Sequence, residues 1–288
     1  MNFAQMIGIG VAGNFTGHLE QAGESADFVG VVSAEEDAPK GIFPFYLPAH
    51  PTSHLATYPL SSCEIDMPNE HDNIQAEPEV AVVCDVVYDN GKVAELKPKL
   101  FGAYNDCSIR REGARKISDK KNWGANSKGI AGKLLKVDSF HRGGVMDGYR
   151  IACYLKRGSE LHAYGIDSAV SSYSYFHDKL LEWIVDRINN QKDGGPLENV
   201  GELIRECGYP GEMIMSIGAT RYTEFGERGY LQKGDEVFVV LYPSEVYGED
   251  EIREMVTQGK TEADGLSVLH QIVTDLTHPK ERKVSNYL

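Results

Sequence analysis

Glu77-Pro78-Glu79-Val80-Ala81-Val82-Val83-Cys84-Asp85-Val86-Val87-Tyr88, running into Asp89-Asn90-Gly91, is the densest β-branched stretch of the chain. Valine crowds a helical turn but packs well on a pleated surface, and an unbroken apolar run reads as a strand buried on both faces. Asn-Gly supplies the two positive φ angles of a type I′ hairpin, so Lys92 to Leu96 is the expected returning strand. Tyr149 to Leu155 and Glu160 to Tyr164, joined at Arg157-Gly158-Ser159, read as a second hairpin. Glu212 to Ile217 and Asp235 to Tyr242 are further strands. Phe176, Leu180, Leu181, Ile184, Val185 and Ile188 form one apolar stripe, which predicts a helix over Ser174 to Asn190. Helices are also expected over Val200 to Cys207, Glu249 to Gln258 and Leu266 to Leu276. Together these give a β-rich α+β chain with peripheral helices. Its expected segments are 1–70 (a Gly-rich strand and turn), 71–243 (a β domain) and 244–288 (a helical arm).

The balance of charge narrows the partners. The 288 residues hold 29 Lys plus Arg against 43 Asp plus Glu, a net charge of −14. Such a surface repels phosphate backbones and anionic lipid, which weighs against nucleic acid and membranes. No apolar run approaches the roughly 18 residues of a membrane span. The first basic residue is Lys40, so the positive start of a signal peptide is missing. Cys63, Cys84, Cys107, Cys153 and Cys207 form no CxxC pair and read as reduced thiols of a cytoplasmic protein.

Near the start, Gly8-Ile9-Gly10-Val11-Ala12-Gly13 has the spacing of a dinucleotide fingerprint. A strand-like Phe28 to Ser33 follows, and Glu35 stands where a ribose-binding acid belongs. The intervening Asn14 to Glu24 contains Gly17 and Gly23 and too few apolar residues for the helix this motif needs. A Gly-rich strand end entering a loop is the plainer reading, with a dinucleotide enzyme as an alternative.

Glu77-Pro78-Glu79 carries more chemistry. In an extended chain residues i and i+2 face the same way, so both carboxylates project together. Like charges held that close repel unless a cation lies between them. Asp106, in Tyr104-Asn105-Asp106-Cys107-Ser108-Ile109-Arg110, is a third acid. Oxygen donors alone suit Mg²⁺ or Mn²⁺ and not zinc. On spacing alone, a solvated strand end competes with a metal site.

These two segments resemble the fumarylacetoacetate hydrolase family, in which an ExE and hydrophobic strand precede an Asn-Asp-x-Ser-x-Arg segment. Further stretches agree in order. Gly13-Asn14-Phe15-Thr16-Gly17-His18 resembles the family's Asn-Tyr-x-x-His turn, and Pro51-Thr52-Ser53-His54-Leu55 its Pro-Ser-Ser-Leu stretch. Trp123 to Ala131, with Lys128, stands in place of Gly-Lys-Ser. Gly218-Ala219-Thr220 and Lys233-Gly234-Asp235 stand in place of the closing Gly-Thr-Pro and Lys-Pro-Gly-Asp. The match covers about residues 5 to 242.

The resemblance implies a mixed β-sandwich or roll, a divalent ion on Glu77, Glu79 and Asp106, and a homodimer or higher homo-oligomer. It implies metal-dependent C–C cleavage, decarboxylation or isomerisation of a small 2-oxo or 1,3-dioxo acid. His18 would activate water and Lys128 would stabilise an oxyanion. Arg110 and Thr220 would hold a substrate carboxylate. The family's His-x-x-Glu dyad is altered, since Gln21 stands at the Glu position and Glu20 is one residue early. Either could orient His18 when the Asn14 to Gly23 turn closes over the metal. A relative that binds metal or metabolite without turnover is the competing class. Lys120, Lys121, Lys133 and Lys136 make the stretch around Lys128 lysine-rich, and such stretches are usually solvated. Cys107 has no evident base partner and is not expected to be a nucleophile.

Overall fold

The computed structural model describes residues 1–28, 35, 37–68, 72–111 and 113–275. Its strands begin with β1 (Ile7–Ala12), β2 (Gly41–Tyr46), β3 (Leu60–Ser61), β4 (Glu64–Met67) and β5 (Ile74–Gln75). The long hairpin of β6 (Pro78–Asp89) and β7 (Lys92–Asn105) leads to β8 (Ser108–Ile109), β9 (Lys128–Ile130) and β10 (Leu135–Lys136). A second hairpin, β11 (Tyr149–Arg157) and β12 (Glu160–Ala169), precedes β13 (Glu212–Ser216), β14 (Glu236–Pro243) and β15 (Ser267–Asp275). The α-helices are α1 (His18–Gln21), α2 (His177–Asn190), α3 (Val200–Glu206), α4 (Glu224–Arg228) and α5 (Glu249–Thr257).

One mixed sheet has the order β2-β1-β13-β6-β7-β9-β3, with β10 also on β7. A second has the order β12-β11-β14-β15-β4, and β5 pairs with β8. The β6–β7 hairpin packs against β11, β14 and β15 of the second sheet. Val80, Val82 and Cys84 join Ile151, Val239, Leu241 and Leu269 in the core between the sheets. The alternate residues Ala81 and Val83 pack with Met6, Phe45, Tyr104 and Ile214 on the opposite face. Burial on both faces is why β6 shows no polar alternation. The fold is β-rich α+β: helix α5 covers the outer face of the second sheet through Ile252 and Val256, and α2 adds Leu180, Ile184 and Ile188 to the main core.

Asn90 and Gly91 take φ angles of 48° and 74°, as a type I′ turn requires. Beyond the turn β7 does not stop at Leu96 but runs to Asn105. Pro98, which cannot donate to a ladder, sits opposite Cys84 at a register shift, where the missing N–H is tolerated. Helix α2 starts at His177, after an extended Phe176, and Ser174 and Tyr175 ahead of it donate their backbone N–H groups to Asn14.

Two expectations need correction. Residues 267–275 form a strand, not a helix: Ser267, Leu269, Gln271 and Val273 are buried at period two, and the segment pairs with β14 and β4. The last part of the chain thus holds one helix and one sheet strand among its described residues. Leu276, the expected helix end, lies outside them. The dinucleotide reading also falls. Gly8 and Gly10 lie inside β1, where a Cβ would come within 2.2 Å of the Phe45 ring and 2.3 Å of the Phe43 ring. Those glycines make room for phenylalanine, and among the described residues the helix that next follows them, α1, has four residues. Phe28 closes a 3-10 turn, and 29–33 lie outside the described residues. Glu35 is exposed and bonds Tyr175 and Lys179. Among the described residues, no helix is long and apolar enough to cross a membrane.

Candidate metal centre

The open end of the β6–β7 hairpin builds the site. Pro78 pairs with Asn105, which sets Glu77 opposite Asp106, and the Asp106 N–H donates to the Glu77 carbonyl at 2.9 Å. The strand period then puts Glu79 beside Glu77. Candidate ligand oxygens of Glu77, Glu79 and Asp106 all lie within 4.8 Å of one another, and all three residues are buried. At that distance and an effective dielectric of ~20, each pair of charges repels by roughly 3.5 kcal/mol. Such repulsion is relieved by nearby cations or by a proton on one of the carboxyls.

Asn105 braces the turn between the acids. Its Oδ1 accepts the Glu77 N–H at 3.0 Å, and its Nδ2 donates to Gln271 Oε1 on β15 at 3.0 Å. Gln271 in turn donates to the Glu64 carbonyl at the start of β4. Glu79 Oε2 accepts the Gly218 N–H at 3.0 Å.

Three protein cations meet the acids. Lys121 Nζ lies 2.7 Å from Glu77 Oε2 and 2.5 Å from Asp106 Oδ2. Lys128 Nζ lies 3.2 Å from Asp106 Oδ1 and donates to the Cys107 carbonyl. Arg110 lies 2.8 Å from Glu77 Oε1 and 2.8 Å from Glu24 Oε1, and it also donates to Gln75 Oε1 and the Tyr222 hydroxyl. Glu77 Oε1 and both Asp106 carboxylate oxygens nevertheless receive no directed hydrogen bond, which leaves lone pairs for a further cation. All-oxygen donors with such vacancies fit a small hard ion. Lys120 and Lys121, in the stretch read as solvated, are both buried.

Burial opposes charge on Glu77, but Lys121 and Arg110 prevail and hold its carboxyl far below the usual range. Burial pushes Glu79 the other way, well above that range, with Asp106 and Glu77 adding to the effect. Burial also lowers the Lys128 ammonium against the pull of Asp106. It pushes the Cys107 thiol up to about 12, so Cys107 is no thiolate at neutral pH.

Residues 13–28 fold over the triad. Asn14 anchors them by donating to the carbonyls of Tyr175 and Ile217. His18 is buried, with Nδ1 at 2.9 Å from the Thr220 carbonyl. Neither expected dyad partner touches it. Glu20 is exposed, and Gln21 bonds the Tyr222 backbone through both ends of its amide. The helical turn places Gln21 toward the 220–222 segment and Glu20 outward. Glu24 is the acid that sequence reading missed. It is buried, pairs with Arg110 and Lys120, and joins His18, Glu77, Glu79 and Lys121 around a cavity of about 20 Å³. That volume holds about one water molecule or ion. Larger grooves of about 650, 480 and 680 Å³ contain no triad residue.

Arg110 and Thr220 do not present free groups to this cavity. The guanidinium has four protein partners, and the Thr220 hydroxyl faces the Pro78 carbonyl at 3.5 Å. Lys128 contacts Asp106, and neither of the two lines the cavity.

Residues 24–273 match the model of DUF5718, described as a family of unknown function. The chain belongs to DUF5718. None of the curated proteins compared with it matches. Solved structures similar to this DUF5718 protein include Cg1458 with an inhibitor, at 17% identity and a TM-score of 0.55, over 93% of this chain and 77% of that one. A Yersinia pestis CO92 protein, assigned by description to the fumarylacetoacetate hydrolase family, is 14% identical with a TM-score of 0.51, over 93% and 92%. A 2-keto-3-deoxy-D-arabinonate dehydratase complexed with magnesium and 2,5-dioxopentanoate is 13% identical with a TM-score of 0.50, over 93% and 73%. This DUF5718 protein thus has the fold of the fumarylacetoacetate hydrolase structures.

Proposed function

We propose that this DUF5718 protein is a metal-dependent enzyme acting on a small 2-oxo or 1,3-dioxo carboxylic acid. The observation that carries the reading is the convergence of three buried carboxylates, two of which, Glu77 and Glu79, share a cavity with the buried His18 imidazole. Glu77, Glu79 and Asp106 would hold Mg²⁺ or Mn²⁺. The dehydratase complexed with magnesium and a dioxo acid supports the choice of ion and substrate class. When bound, the ion stabilises negative charge developing on substrate oxygens.

The chain's own residues do the rest. His18 donates Nδ1–H to Thr220, which leaves Nε2 to take a proton from water or from the carbon next to a carbonyl. Arg110 positions Glu77, and Lys128 positions Asp106. Residues 13–28 exclude water and must open to admit substrate, since the closed cavity is too small for one. One observation favours a second reading, a binding protein without turnover: among the described residues, His18 Nδ1 is held by the Thr220 backbone carbonyl and not by a carboxylate.

Turnover of oxaloacetate, acylpyruvates and fumarylpyruvate with and without Mg²⁺ or Mn²⁺ tests the proposal. Metal-dependent loss of one substrate, abolished by Asp106→Ala, is the expected result. Tight metal binding with no turnover across the panel would favour the second reading. No metal binding at all would overturn both.

A further inference from the structure

We infer that Lys121 is a built-in competitor for the metal. Its ammonium neutralises Glu77 and Asp106 when no divalent ion is present, and it must leave them when an ion binds. This rests on the metal reading proposed above and adds the residue that sets the affinity.

Of the three cations around the triad, Lys121 alone approaches two of its carboxylates, at 2.7 and 2.5 Å. Arg110 is fixed by four protein partners, and Lys128 is tied to the Cys107 carbonyl. A divalent ion sits roughly 2.0–2.3 Å from its oxygen ligands. Drawing on Glu77 and Asp106, it would therefore occupy nearly the point where Lys121 Nζ now lies. Two cations cannot share that point, by size or by charge. The four-carbon stem of lysine lets its ammonium move without backbone change. The cavity of about 20 Å³ beside it is lined by Lys121, Glu24, Glu77 and Glu79, so Glu24 is an acid outside the triad that can receive the ammonium. The same ammonium explains how Glu77 and Asp106 coexist as charged groups before metal arrives.

The test is calorimetric titration of metal-free protein with MnCl₂ and MgCl₂, for wild type, Lys121→Met and Lys121→Gln, with thermal midpoints for each. Both variants are expected to bind Mn²⁺ at least ten-fold more tightly than wild type. They should melt lower without metal and gain more on saturation. A second measurement needs only folded wild type: its Lys121 side-chain nitrogen resonance, assigned against Lys121→Arg, is expected to shift on saturation with Mg²⁺. Equal or weaker Mn²⁺ binding by the neutral variants, or an unmoved Lys121 resonance in Mg²⁺-bound protein, would overturn the inference while the metal reading stands. Absence of binding by wild type and variants alike would instead remove the metal reading, and the inference with it.

Discussion

The Thr220 backbone carbonyl lies 2.9 Å from His18 Nδ1, and because a carbonyl can only accept, this contact fixes the imidazole tautomer with its proton on Nδ1. Burial lowers the His18 pKa below its ordinary 6.5, with Glu77 opposing. The native state therefore binds fewer protons than the unfolded one. Its share of stability is complete above 6.5 and is lost as pH falls through the lowered value. Imidazole ¹⁵N spectra are expected to show an unprotonated Nε2 at pH 7 and a midpoint below 6.5. A midpoint at or above 6.5 would contradict the buried, carbonyl-held ring.

Arg110 stands between two buried acids, 2.8 Å from Glu24 and 2.8 Å from Glu77. Removing one partner of a buried ion pair leaves an uncompensated charge. Arg110→Met is thus expected to cost about 3–5 kcal/mol in denaturant unfolding. Adding Glu24→Gln should recover part of that loss. Additive losses in the double variant would mean that Arg110 and Glu24 are not coupled.

Gly8 faces the Phe45 ring so closely that a methyl group there would lie 2.2 Å from it. Gly8→Ala is expected to destabilise by about 1–3 kcal/mol through overpacking. Phe45→Leu should cost less in the Gly8→Ala background than alone, because the smaller side chain vacates the contested space. A double-mutant cycle checks this.

Glu198 holds the turn that carries Lys120. The Ser118 hydroxyl donates to its Oε1, and burial pushes the Glu198 carboxyl up from 4.5 to about 7. Here the native state binds more protons between those two values, so stability is greatest below the lower and falls as pH rises through the upper. The full effect is about 3 kcal/mol at most. Glu198→Gln is expected to flatten the decline in unfolding free energy between pH 5 and pH 8. A decline of equal slope in the variant would assign it to other groups.

Local rules made the hairpin and the triad legible. A dense valine run, an Asn-Gly turn and two acids at period two need little tertiary information, and the structure places Glu77, Glu79 and Asp106 together. The order of family-like segments likewise pointed to the right fold. Residues whose meaning depends on distant partners were not legible. Lys121 and Glu24 look like surface charges until the turn before Trp123 and the segment after α1 fold onto the same cavity. Residues 267–275 suit either period, and only pairing with β14 and β4 decides for a strand. Gln21 sits where the family pattern leads one to look for an acid, yet its amide bonds the Tyr222 backbone.

Gln271 and Glu64 are joined by a hydrogen bond across 207 residues of chain, and Gln271 also holds the Asn105 amide that braces Glu77. Synthesis proceeds from the N-terminus, so the ribosome makes all three acids long before the strand that secures their scaffold. Throughout that interval β4 has neither β15 beside it nor any route to β14. A nascent chain released before residue 267 would carry every candidate ligand and still lack the second sheet's closing strand. The bracing of the centre therefore depends on β15, a strand synthesised after every one of its acids.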